Sequence, residues 1–90
     1  MPTSAQVSVG TTATLLVAAS NFDQTAYVHN MAHGGGSGNP VFLGDANVTT
    51  ANGFELDASA YVTIGVGDHE ALYAICASGT VNVSVLKQIN

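Results

Sequence analysis

The sequence predicts an all-β fold: a compact single-domain sandwich or barrel of about seven or eight mostly antiparallel strands. In several short segments apolar and polar residues alternate with a period of two, which is typical of strands. No segment of helix length has apolar residues at the spacing of a helix. Turn-forming residues, including ten glycines, interrupt the chain roughly every 8–12 residues, as in sandwiches and barrels. The 90 residues, 1–90, leave room for a single β domain.

The N-terminal half contains four predicted strands. Residues 6–9 form a short strand, and residues 13–18 form a second, more apolar one. Large and small side chains alternate through residues 27–31, and residues 41–43 form a short strand closed by a turn. The Gly-rich stretch 34–40 between these two strands is predicted to be an exposed, mobile loop, because glycine loses most entropy on ordering.

The C-terminal half contains four more predicted strands. Residues 54–56 follow a turn signal, and residues 60–64 alternate so that one face is apolar. Residues 72–77 are apolar on both faces, which is typical of a central strand. Residues 80–86 place their valines on one face, and the short Ser78-Gly79 link before them predicts a tight hairpin with the preceding strand.

Charge is scarce and excludes several function classes. Charged residues make up 8% of the chain, which carries a net charge of −5 and a single basic residue, Lys87. One basic side chain cannot neutralise a row of phosphates, so we expect no nucleic-acid binding and no attraction to an anionic membrane. No apolar run is long enough to span a bilayer, and the first residues lack the features of a signal peptide. We therefore expect synthesis in the cytoplasm.

One motif resembles part of an enzyme site. His33-Gly34-Gly35-Gly36 spells the oxyanion-loop motif of some esterases. That chemistry also needs a nucleophile elbow of the form G-x-S-x-G on an α/β sheet, and the sequence around Ser37 lacks the final glycine. The carboxylates lie in predicted turns or on polar strand faces, where they keep the protein soluble. We predict no catalytic residues, no cofactor and no enzymatic activity.

Metal binding is the second chemistry to weigh. His29 and His33 are four residues apart, and Asp68-His69-Glu70 places three ligand-type side chains in a row. Spacing of four converges on a metal in a helix, whereas these residues lie in a strand and in loops. We predict partly exposed, polar histidines and no metal site. The alternative is a surface metal held by ligands that meet across loops or at a symmetry axis.

Two further residue types have structural interpretations. Cys76 lies in the most apolar predicted strand, which indicates a small buried core residue rather than a nucleophile. A lone cysteine also cannot form an internal disulfide. Tyr27, Tyr61 and Tyr73 are predicted to pack on the sheets rather than to form a ligand platform.

The order of the motifs along the chain is more specific than any one of them. In sequence letters they are VSVGTTATLL (7–16), NPVFLG (39–44), VTTANGFEL (48–56), GDHEALYAI (67–75) and ASGTVNVSVL (77–86). This succession resembles a group of short β-domains from the structural genes of tailed bacteriophages. Such domains occur as head-decoration or head-fibre proteins and as modules of fibre-like virion proteins, and the resemblance covers nearly the whole chain.

The resemblance implies a structural protein of the virion, located on the capsid surface. We expect a capsid decoration protein that binds the major capsid protein and stabilises the head lattice. Few charges and many small neutral side chains fit this role, because little charge must be desolvated on contact. The alternative is a head-fibre or tail-tip binding module that contacts a host glycan or receptor.

Oligomerisation and a contact segment complete the expectations. Seven charged residues cannot cover the surface of the domain, so exposed neutral patches predict a homo-oligomer. A trimer would match the local threefold positions of a capsid lattice. Residues 1–6 are uncharged and precede the first predicted strand, so they are predicted to form an extended N-terminal arm. The predicted capsid contacts on this arm are Pro2, Thr3, Ser4, Ala5 and Gln6.

Overall fold

A computed structural model of the chain, which describes residues 3–31 and 39–89, contains eight strands and no helix in that part of the chain. The strands are β1 Thr3–Val9, β2 Thr14–Val17, β3 Gln24–Asn30, β4 Val41–Gly44, β5 Phe54–Leu56, β6 Tyr61–Val66, β7 Leu72–Cys76 and β8 Val81–Ile89. They form two antiparallel four-stranded sheets. The predicted all-β, mostly antiparallel sandwich is thereby confirmed.

The first sheet has the strand order β1-β8-β3-β6, and the second has the order β2-β7-β4-β5. Most strands that follow each other in sequence therefore lie in different sheets; β4 and β5, which pair directly, are the exception. Every connection between consecutive strands except that between β4 and β5 therefore crosses from one sheet to the other.

This arrangement contradicts the predicted hairpin at Ser78-Gly79. β7 belongs to the second sheet and β8 to the first, so the link between Cys76 and Val81 crosses between the sheets. Gly79 adopts a positive φ of 66°, which explains the glycine there. β7 also ends one residue before the predicted bound and β8 begins one residue after it, so the link is longer than the two-residue turns that join hairpin strands. The turn residues indicated a reversal of the chain but not the sheet it leads to.

Alternating side chains of both sheets form the core. Val81, Val83 and Val85 of β8 are buried, as the period-two pattern predicted. β7 is a central strand, also as predicted, and buries Leu72, Ala74 and Cys76. These side chains belong to one cluster with residues from β1 to β6; its other members are Val9, Leu16, Val17, Ala26, Val28, Val41, Leu43, Leu56 and Val66.

Two buried amides close the inward face of β3, one at each end. Asn30 is fully buried, and its Nδ2 donates hydrogen bonds of 3.1 Å to the carbonyls of Asn39 and Leu56, which ties the first sheet to the second. Gln24 is buried at the opposite end, and its Nε2 donates to the Ala18 carbonyl at 3.1 Å. Satisfied in this way, the amides avoid the cost of burying polar groups without partners.

The predicted N-terminal arm is wrong for the residues that the structure describes. Thr3 to Gln6 form the first half of β1, and their register pairs Thr3 with Lys87 and Gln6 with Ser84. Backbone hydrogen bonds to a neighbouring strand need no apolar side chains, so the hydrophobic pattern revealed the strand only from Gln6 onward and not at Thr3, Ser4 and Ala5. Pro2, and residues 34–38 of the predicted mobile loop, lie outside the described residues.

Segment 45–53 folds back over the outer face of the second sheet. Val48, in the middle of this segment, is 4% exposed although it lies outside the main core cluster. It packs on Gly44, where an added Cβ would lie 2.8 Å from Val48 Cγ2. A Cβ on Gly53 would lie 2.6 Å from Phe42 Cβ, so this close approach requires glycine at the position. Part of the second sheet is therefore covered on both sides.

Candidate functional site

The outer face of the first sheet is the candidate functional site, and we call it the neutral face. Residues directly opposite each other in an antiparallel sheet share a face, so the strand register defines its members. One row across the four strands runs Ser4, Leu86, Tyr27, Thr63, and the next runs Gln6, Ser84, His29, Tyr61. The remaining members by the same register are Ser8, Asn82, Gln88, Thr25 and Gly65.

No residue of this face is an Asp, Glu, Lys or Arg. The charged residues of the described chain lie in the connections between strands, on the second sheet or on the inner side of β8. Five carboxylates lie between strands: Asp23, Asp45, Asp57, Asp68 and Glu70. Glu55 is on β5 of the second sheet. Lys87 alternates with the buried Val85 and is half-buried on the inner side of β8. A partner that packs on the neutral face therefore desolvates no Asp, Glu, Lys or Arg side chain of this face.

Three large side chains on the neutral face are exposed to solvent among its smaller polar residues. Tyr61 is 79% exposed, Tyr27 44% and Leu86 41%. The prediction that the tyrosines pack on the sheets is wrong for Tyr61, which projects into solvent. Tyr73, by contrast, is half-buried on β7. Tyrosine combines a large apolar ring with a polar tip and is enriched in interfaces, so this pattern is typical of a contact surface.

The predicted contact residues divide between the two sides of β1. Ser4 and Gln6 lie on the neutral face, in the two rows that also contain Tyr27 and Tyr61. Thr3 and Ala5 alternate with them and lie on the other side of the strand, where both are exposed. Of the described residues of this segment, Ser4 and Gln6 belong to the neutral face, and the capsid contact of the whole segment stays a prediction.

The sequence contained a signal for this surface that the interpretation of single residues missed. The prediction placed Ala60, Val62 and Ile64 on one face of a strand, and these residues do pack against the core. Tyr61 and Thr63 must then lie on the opposite face. Following that alternation through β3 and β8 assembles an uncharged outer surface.

The acidic residues near His69 form hydrogen bonds to the backbone of the turn that follows β6. Asp23 Oδ1 accepts a 3.0 Å hydrogen bond from the backbone N–H of Asp68, and Glu70 Oε1 accepts one of 3.1 Å from Gly67. His69 Nδ1 lies 3.2 Å from Asp68 Oδ2, with both side chains exposed. Across residues 3–31 and 39–89, no three His, Cys, Asp or Glu side chains are grouped closely enough to hold a metal. His33 and the HGGG motif lie outside those residues.

Cys76 is a buried core residue, as the sequence predicted. Its Sγ lies 3.4 Å from the carbonyl oxygens of Val9 and Gly79, within hydrogen-bond range for a thiol. The side chain therefore helps to hold the end of β7 against the end of β1.

The fold and this surface define a class: a small all-β sandwich with one uncharged, tyrosine-bearing sheet face. In the described part of the chain there is no helix that could cross a membrane. The sequence matches no model of a known protein family, and no curated protein is significantly similar to it.

Proposed function

We propose that this chain is a structural protein of a tailed-bacteriophage virion, a capsid decoration protein that binds the major capsid protein and stabilises the head lattice. The observation that supports the proposal is the neutral face, which spans all four strands of the first sheet without a formal charge. A decoration protein acts through interface area repeated over many copies. An uncharged face with exposed Tyr27 and Leu86 suits such packing, because the desolvation cost is low.

The proposed unit on the particle is a homo-oligomer. The chain carries a net charge of −5, so copies packed side by side repel each other unless their contacts avoid the carboxylates. The carboxylates lie mainly between strands, and the neutral face leaves room for contacts that bring none of them together. The trimer expected from the symmetry of a capsid lattice remains part of this proposal.

Occupancy of purified heads tests the capsid contact. Heads that lack the protein are mixed with the wild-type chain or with Ser84→Lys, which places a charge at the centre of the neutral face. Burying that charge should weaken binding by at least about tenfold. Ala46→Lys adds the same charge at an exposed position of segment 45–53 and should bind as the wild type does. Equal loss for both variants, or for neither, would contradict contact through the neutral face.

Copy number separates the capsid lattice from other positions on the virion. Quantitative mass spectrometry of purified particles should give copies on the order of hundreds per head for a lattice protein, but about a dozen or fewer for a tail or unique vertex. The low number would favour the second candidate.

That second candidate is a head-fibre or tail-tip module that contacts a host glycan. The exposed Tyr61 favours it, because sugar rings stack on aromatic side chains that have polar neighbours, here His29 and Thr63. In that case Tyr61→Ala should abolish binding to host surface glycans on an array. Wild-type protein that binds heads and no glycan would exclude this candidate.

A further inference from the structure

β6 is an edge strand without the usual protection. It pairs with β3 and, among the described strands, with no other. Natural edge strands are blunted by charges, prolines or bulges that prevent pairing with another chain. Residues 61–66 contain no charge and no proline, and their register with β3 is unbroken. β5, the corresponding edge of the second sheet, is shorter and carries Glu55.

The backbone groups available at this edge can be assigned from the β3 pairing. The Asn30 N–H donates a 2.9 Å hydrogen bond to the carbonyl of Ala60, so these two residues form a hydrogen-bonded pair of the β3–β6 ladder. Every second residue of β6 after Ala60 is then also in a hydrogen-bonded pair with β3. Backbone groups of successive residues point to opposite sides of a strand, so Val62 and Ile64 also bond towards β3. The groups directed to the free edge are the N–H and C=O of Tyr61, Thr63 and Gly65.

We propose that two copies of this chain pair through β6 in antiparallel orientation, with a twofold axis at Thr63. In this register Thr63 meets Thr63 of the second copy, and Tyr61 meets its Gly65. All three are residues whose backbone groups face the edge, so every such pair can exchange both of its N–H···O bonds. The two first sheets then become one continuous sheet.

The side chains of β6 complement each other in the same register. Tyr61, 79% exposed in the single chain, would lie opposite Gly65, where an added Cβ has no heavy atom within 4 Å. An aromatic ring beside a cross-strand glycine covers backbone that would otherwise stay exposed. On the inner side, Val62 would meet Ile64 of the second copy; both are half-buried at the margin of the core.

An apolar cleft lies beside this inner side of β6. It has a volume of about 260 Å³ and is lined by Val62 and Ile64 together with Leu43, Phe54 and Leu72. Phe54 is 62% exposed there. Side chains of a second copy at the β6 edge would cover part of this apolar surface, which adds hydrophobic burial to the backbone hydrogen bonds.

The self-complementary register of β6, with Tyr61 opposite Gly65, makes a second copy the partner that fits this edge. Two chains of net charge −5 repel each other, and their contact must keep carboxylates apart. The nearest carboxylates along the chain, Asp57 and Asp68, both lie outside the paired strand. This inference does not depend on the virion role. A twofold contact gives dimers, so a trimer would need a different surface.

Cross-linking at the twofold axis tests the register. Opposite residues in a hydrogen-bonded antiparallel pair have Cα atoms about 5.5 Å apart, within the range that a disulfide spans. Thr63→Cys should therefore give a covalent dimer under oxidation or with a short bismaleimide, since the native Cys76 is buried. Asn82→Cys, exposed on β8, which is paired on both sides, should stay uncross-linked. A Thr63→Cys protein that remains monomeric would overturn the proposed register.

Sedimentation equilibrium tests the edge itself. The wild-type chain should approach twice its 9.1 kDa mass as concentration rises. Thr63→Pro removes an N–H that faces the free edge and spares the bonds to β3, so it should raise the dimer Kd about 10- to 100-fold. Thr63→Val keeps the N–H and should dimerise like the wild type.

A wild-type chain that stays monomeric at about 1 mM would overturn the proposal, because the Kd of the dimer would then exceed that of a weak specific contact. An oligomer that the Thr63→Pro change does not weaken would overturn it as well. Circular dichroism checks that each variant is folded. If Thr63→Pro does not fold, Thr63→Lys decides, since the twofold axis places its two ammonium groups directly opposite each other and like charges in that position oppose the pairing.

Discussion

The outer faces of the two sheets differ in what lies on them. On the second sheet, segment 45–53 folds back and buries Val48 against Gly44. On the first sheet, none of the described segments lies across the neutral face, and Tyr61 remains 79% exposed. The covered face contributes to the stability of the domain, whereas the uncovered face is free to contact a partner. Substitutions on the two faces should therefore have different consequences.

The largest effect is expected on β8, where neighbouring residues lie on opposite sides of the first sheet, one in the core and the next on the neutral face. Val81→Asp places an unpaired charge in the core and should lower the free energy of unfolding by about 3–5 kcal/mol. Asn82→Asp, the next residue along and on the neutral face, adds the same charge in an exposed position and should change it by less than about 0.5 kcal/mol. Urea denaturation followed by circular dichroism measures both. An unshifted transition for Val81→Asp would mean that the strand faces are inverted.

A smaller effect should distinguish two glycines that receive the same methyl group. Gly53→Ala drives a Cβ to within 2.6 Å of Phe42 Cβ on the covered face and should cost about 1–3 kcal/mol. Gly65→Ala on the neutral face meets nothing within 4 Å and should be neutral or slightly stabilising. Thermal unfolding at concentrations that keep the chain monomeric separates them. Equal melting temperatures would show that segment 45–53 does not pack as described.

The smallest effect concerns the side chain that covers the second sheet. Val48→Ala removes buried methyl groups and should cost about 1 kcal/mol. Ser84→Ala, at the centre of the neutral face, should change stability by less than about 0.5 kcal/mol. The difference in urea midpoints at equal slope gives both values. A Val48→Ala midpoint at the wild-type value would remove the distinction between the two faces.

Alternation predicted the strands and their inward faces because it depends only on neighbouring residues. The valines of β8 and the central position of β7 followed directly from the pattern. Sheet membership did not, because Ser78-Gly79 specifies a local reversal and the choice of sheet depends on the whole core. The strand residues before Gln6 were not predictable, because the pairing of Thr3 to Ala5 with β8 uses backbone groups, which every sequence has.

The candidate site was partly predictable. Scarcity of charge indicated neutral contact surfaces, and the alternation around Tyr61 was enough to place that ring on an outer face. The position of Val48 was not predictable, because its side chain packs closely against both Gly44 and Gly53. These glycines lie at the two ends of a segment whose sequence has no periodicity. Which face stays uncovered is thus a property of tertiary packing.

The position of β8 between β1 and β3 has a consequence for the order of folding during synthesis. Among the described strands β1 pairs only with β8, and β8 joins it to the β3–β6 pair; the residues of β8 are the last of the described chain to be made. The second sheet needs only strands up to β7 and can assemble earlier. The β3–β6 pair can also form before β8 is made, but the complete first sheet, and with it the complete neutral face, forms only after Val81–Ile89 has left the ribosome. Its many long-range pairings place folding in the slow, millisecond-to-second class of all-β domains.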